Sequence, residues 1–162
     1  MALNAYLKLK GQTQGDIKGS VTQKGREDSI MVIAAHHAVT SPRDAASGLP
    51  TGKRMHTPYV ITKEVDKSSP LLYNVLVNNE NITEWELQFW QPSPTGKENQ
   101  HYTVKLTNAS IASIHFAMPN NKHPDTMKYA EYEEVAFTYQ KIEWLWVDGG
   151  ISSEDDWESP VS

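Results

Sequence analysis

The stretch Glu131–Trp146, EYEEVAFTYQKIEWLW, decides the fold class. Val135, Phe137 and Tyr139 alternate with Glu134, Ala136 and Thr138. That period of two belongs to a strand with one buried face. The apolar set resumes at Ile142, Trp144 and Trp146, one residue out of phase. A bulge near Gln140 or Lys141 is expected to restore the register.

The same period recurs upstream. Tyr102, Val104 and Leu106 share one face, and Ala112, Ile114, Phe116 and Met118 another. Trp85, Leu87 and Phe89 oppose Glu84, Glu86 and Gln88. Leu3, Ala5, Leu7 and Leu9 alternate with Asn4, Tyr6, Lys8 and Lys10. Pro58 inside Arg54–Val65 implies an edge strand or a bulge. One helix is expected, at about residues 69–79: Ser69 supplies a capping hydroxyl and Pro70 the first helical position. Leu71, Leu72, Val75 and Leu76 then follow at helical spacing, and Asn78 and Asn79 supply the stop.

Two segments stand apart. Residues 29–40, SIMVIAAHHAVT, are apolar on both faces, which suggests a strand covered on both sides, within the barrel or between subunits. Ile30, Val32, Ile33, His36, His37 and Val39 are its candidate interface residues. The connection after it, Ser41–Lys53, is longer than usual, has no apolar period, and reads as functional or mobile. Ser41, Pro42, Arg43, Asp44, Leu49, Pro50 and Lys53 are the candidate contacts within it. The whole reads as a mainly β single domain, a β-barrel of two antiparallel sheets with one short helix alongside. It spans residues 1–150, followed by a flexible acidic tail at 151–162.

Composition removes several function classes. With 162 residues the chain holds one domain. A formal charge of -5 without a basic run argues against a nucleic-acid partner, and no apolar stretch is long enough for membrane insertion. The absence of cysteine excludes disulfides and thiolate zinc sites. The start, MALNAYLKLKGQ, lacks the charged and apolar regions of a secretory signal.

Catalytic motifs are missing as well. His36 and His37 are adjacent on a strand and point to opposite faces, and the other four histidines lack metal-ligand spacing, so no metal or cofactor is expected. Glu84 and Glu86 stand about 6–7 Å apart on one strand face, a separation that overlaps glycosidase geometry. A solvated sheet face has the same pattern, and no pocket to raise one pKa is evident. There is no nucleophile elbow, phosphate loop or dinucleotide fingerprint. Of five tryptophans, Trp85, Trp144 and Trp146 fit a core, with a carbohydrate-stacking platform as the alternative, whereas Trp90 and Trp157 break the local pattern and are candidates for exposure.

The order of several segments resembles the haemolysin-coregulated protein (Hcp) family. These are AYLKLKG at 5–11, DIKGSV at 16–21, HHAVTSP at 36–42 and TGKRMHTPYVITKEVDKSSPLLYNVL at 51–76. HYTVKLTNASIASI at 101–114 and EYEEVAFTYQKIEWLWVDGG at 131–150 complete the set. The resemblance rests on Lys63, Asp66, Ser69, Pro70 and Leu72, then on Glu134, Phe137, Tyr139, Lys141, Ile142 and Trp144. It implies a non-catalytic subunit of the type VI secretion inner tube. Hexameric rings would stack into a hollow tube, capped by a VgrG-like spike and driven by a contractile sheath on a baseplate. Effector proteins would travel in the lumen. Assembly in the bacterial cytoplasm and export without a signal peptide follow from the same resemblance. The alternatives are a phage tail tube-like subunit, which shares the ring physics, and a secreted carbohydrate-binding β-sandwich using the tryptophans.

Overall fold

The computed structural model describes residues 4–158. Leu3 and the last four positions of the expected tail lie outside them. Among the described residues the chain runs β1 (Asn4–Gly11), β2 (Gly15–Ile17), β3 (Ile30–Val32), β4 (Ala34–His36), β5 (Val39–Thr40), β6 (Met55–His56) and β7 (Tyr59–Glu64). Then come α1 (Ser69–Val77), β8 (Ile82–Pro92), β9 (Glu98–Thr107), β10 (Ser110–Ala117), β11 (Tyr132–Thr138), β12 (Lys141–Trp146) and β13 (Ile151–Asp156).

Two open antiparallel sheets face each other. The larger has the order β13-β12-β9-β8-β1-β2, with β3 also on β1, and the smaller β10-β11-β7-β4. β5 and β6 form a separate pair. The barrel expectation therefore holds as a two-sheet sandwich whose edges remain open.

The core lies between inward-facing alternate residues. Leu7, Leu87, Val104 and Ile142 come from the larger sheet, and Ile61, Val135 and Phe137 from the smaller. At the centre Trp85 packs edge-on against Tyr59 and Phe137, at centroid distances of 5.2 and 5.4 Å. Both distances suit edge-to-face aromatic pairing.

The phase break after Tyr139 is a corner and not a bulge. β11 belongs to the smaller sheet and β12 to the larger, so inward reverses direction when the chain crosses between them. An out-of-phase apolar set is the necessary result. SIMVIAAHHAVT is likewise broken: β3 pairs with β1, and Ile33 N donates to Thr62 O on β7 at 2.8 Å, carrying the chain into the smaller sheet. A third crossing follows β9, where Asn108 adopts φ 50° and donates through Nδ2 to Gln140 Oε1 at 2.7 Å. Pro58 separates β6 from β7, and β7 itself is an inner strand between β11 and β4.

Helix α1 begins near its expected start but with different capping. Ser68 is the N-cap, and no side chain caps the helix. The Ser69 hydroxyl turns instead toward β11. At the other end Asn79 has φ 49°, Asn79 N donates to Leu76 O, and Glu80 N donates to Val75 O. This is a Schellman closure with asparagine at the left-handed position.

The acidic tail also differs from expectation. Ile151–Asp156 pairs with β12 from Trp146↔Ile151 to Lys141↔Asp156. Ser-Ser-Glu-Asp-Asp has weak intrinsic strand preference, which a waiting edge strand overrides.

Candidate assembly surface

The residues expected to meet other subunits divide by burial. Ile30 and Val32 point into the protomer's own core, at 0% and 6% exposure, and are withdrawn as interface candidates. The reason is the pairing of β3 with β1, which turns both side chains inward. Ile33 and Val39 remain outward at 54% and 42%, with His36 exposed and His37 half-buried. Ile33 stands between two shallow grooves of about 440 and 410 Å³. One is lined by Val21, Met31 and Val65, the other by Tyr129, Ala130 and Tyr132.

Residues 41–53 are not a loose loop. They extend the β5–β6 pair into a hairpin arm. Thr51 N donates to Pro42 O, Arg43 bridges Pro50, and Asp44 N donates to Leu49 O. The Asp44 carboxylate accepts from the amide and hydroxyl of Ser47 at 2.9 and 2.7 Å, closing the tip with Gly48 at φ 74°. Those bonds hold the Asp44 carboxyl below the usual range. Ser41, Arg43, Asp44, Leu49, Pro50 and Lys53 are exposed and Pro42 half-exposed.

Two polar clusters lie within and beside the sandwich. In the first, Lys63 on β7 is fully buried opposite Glu133 on β11, with Nζ 2.5 Å from Glu133 Oε1 and 3.2 Å from Asp66 Oδ1. Lys63 also donates to Ser69 Oγ, which donates onward to Glu133 Oε1. These contacts bring together Lys63, Asp66 and Ser69, three residues on which the family resemblance rests. They satisfy a buried charge and place the start of α1.

The second cluster escaped sequence reading. His37 Nε2 and His56 Nδ1 each lie 2.7 Å from the Tyr139 hydroxyl, and His56 Nε2 lies 2.7 Å from Asp155 Oδ2. Arg54 donates through Nε to the same carboxylate oxygen. Trp157 stacks on His56 at 5.4 Å, and Tyr59 on His37 at 4.9 Å. Burial pushes the His37 imidazole down to about 4, with the neighbouring His56 adding to it, and burial pushes the Tyr139 phenol up. The Arg54 hydrogen bond holds Asp155 below the usual carboxylate range. Partners 83 to 102 residues apart carry no local signal.

The remaining candidates have structural roles. Glu84 and Glu86 stand opposite Lys10 and Lys8, and Glu86 also faces Lys105, so the pair belongs to a cross-strand charge ladder. Trp90 is covered by the Arg26 guanidinium at 4.2 Å and Trp157 by His56, contrary to the exposure expected of both. Trp146, expected in the core, is 44% exposed, whereas Trp144 packs against the core. Among the described residues no group of three or more histidine and acidic side chains is placed to hold a metal ion.

Comparison with known proteins agrees with this architecture. The profile of the family described as "Type VI secretion system effector, Hcp" matches residues 6–146. The chain is 41% identical over 171 aligned positions to the major exported protein of Pseudomonas aeruginosa PAO1, covering 100% of this chain and 99% of that one. It superposes on a solved Hcp protein with TM-score 0.90 and 34% identity, over 98% of this chain and 99% of the other. The secreted protein Hcp3 of Pseudomonas aeruginosa gives TM-score 0.80 and 34% identity, over 98% and 100%. The chain therefore belongs to the Hcp family of type VI secretion, a family of structural tube proteins and not of enzymes.

Proposed function

We propose that this chain is a ring-forming subunit of the secretion tube, with six copies in a ring and rings stacked through the arm. The observation that carries this reading is the hairpin arm, held in shape by its own backbone bonds with Leu49 64% exposed near its tip. An ordered projection can dock without first losing conformational entropy, which favours repeated assembly. Around its root Ile33, Val39 and Met55 leave apolar surface uncovered. A heterologous contact repeated about an axis closes into a ring when the rotation suits. Obligate interfaces of this kind bury roughly 2,000 Å² or more.

Ile33, His36 and Val39 are assigned to the contact between neighbours in a ring. Ser41, Pro42, Arg43, Asp44, Leu49, Pro50 and Lys53 are assigned to the contact between rings. The tube would hold effectors in a water-filled lumen, carry a VgrG-like spike, and leave through the sheath and baseplate. Assembly would begin in the bacterial cytoplasm, with export by the secretion apparatus. Native mass spectrometry with negative-stain imaging tests the reading: sixfold rings are expected, and a protein that stays monomeric at high concentration overturns it.

A further inference from the structure

The Tyr139 hydroxyl sits between two imidazole nitrogens at 2.7 Å each, and this fixes how many protons the cluster can hold. A phenol has one proton to donate, and a neutral imidazole has one donor and one acceptor nitrogen. With both histidines neutral the bonds run one way. His37 Nε2–H donates to Tyr139, Tyr139 donates to His56 Nδ1, and His56 Nε2–H donates to Asp155. One added proton reverses the first half of the chain. His56 then donates from both nitrogens, and Tyr139 donates to His37. A second proton leaves two cationic donors aimed at one phenol oxygen, with the ring centroids 6.4 Å apart and the phenol proton without an acceptor.

The surroundings decide which histidine is last. His56 stands against Asp155, whose charge is shared with Arg54. Among the described residues no carboxylate pairs with His37, which is packed among Tyr59, Tyr139, Trp144 and His56. Among the described residues the other ionisable groups that act on the cluster are Tyr59 on β7, beside Tyr139 and itself near Tyr102 on β9, and Asp156 on β13, beside Arg54.

The cluster also ties together the segments that carry the arm. His37 lies two residues before β5, His56 lies in β6, Arg54 lies just before it, and Asp155 lies in β13. We propose that the His37–Tyr139–His56–Asp155 chain is an acid-operated latch: a proton on each imidazole breaks it and frees the arm root and β13, while the sandwich stays folded. This goes beyond the tube reading and does not depend on it, because the latch closes within one protomer.

Amide hydrogen exchange of the full chain, corrected for the intrinsic pH dependence, tests the latch between about pH 7 and about pH 4. Light scattering at each pH ensures that the same oligomeric state is compared. Exchange across residues 38–57 and 151–157 is expected to rise by about tenfold or more, with β8 and β9 unchanged. His37→Phe keeps the stack on Tyr59, removes the second proton site and is expected to abolish the rise. Unchanged arm exchange, an equal rise in β8 and β9, or the same rise in His37→Phe would overturn the proposal. The wild-type protein alone gives an independent check by imidazole NMR. Titration of His37 at an ordinary midpoint near 6.5 sinks the latch, and a midpoint well below that supports it.

Discussion

At the residue scale, the two polar clusters respond differently to change. Lys63 and Glu133 are 0% and 1% exposed on their side chains, so removing Glu133 leaves the buried ammonium with Asp66 as its one carboxylate partner among the described residues. Glu133→Gln is expected to cost about 3–5 kcal/mol in chemical denaturation. A loss below about 1 kcal/mol would show that Asp66 suffices as the counterion. The histidine cluster acts through pH. Because His37 in the folded protein lies below its unfolded value of 6.5, the unfolded chain binds more protons from there down to about 4. Stability is therefore expected to fall across that window, seen as a declining Tm, and the fall should vanish in His37→Phe. Asp155 acts in a separate window: its depressed pKa contributes stability above 3.8 that is lost only at lower pH.

At the element scale, close packing and the arm give two expectations. A Cβ on Gly19 would meet Ser29 O at 2.4 Å and Ile30 Cα at 2.8 Å, both backbone atoms that cannot swing aside. Gly19→Ala should destabilise the protein by about 1–3 kcal/mol, measured by urea unfolding. The arm contributes little to the core, since its residues are exposed and its bonds are internal. Deleting residues 43–50 and joining the ends with a short turn should leave the far-UV spectrum and Tm nearly unchanged while impairing ring stacking in micrographs. Tubes of normal length from the deletion protein would count against the stacking role. Strand periods in β1, β8, β9 and β11 were legible because one face of each is buried. The short β4, β5 and β6 were not, because two or three residues show no period.

At the scale of the whole molecule, assembly is tested where the protomer leaves apolar surface uncovered. Ile33 is 54% exposed between two grooves, so Ile33→Asp should keep the fold and weaken rings, read as a lower native mass at equal concentration. Burying an unpaired carboxylate there would cost several kcal/mol for each contact formed. Two of the expected interface residues are corrected by burial. SIMVIAAHHAVT is apolar on both faces, but only the structure shows that Ile30 and Val32 serve the protomer's own core.

Strand alternation determined the mainly β class, helical spacing after Ser69 and Pro70 determined the one expected helix, and the order of the quoted segments carried the family resemblance, because those signals lie within single segments. Tertiary structure alone decided the direct corners at β3–β4, β9–β10 and β11–β12, the pairing of the acidic β13 and the meeting of His37, His56, Tyr139 and Asp155. Each depends on which distant strand lies alongside. That choice is made by burying two faces against each other, and no single segment records it.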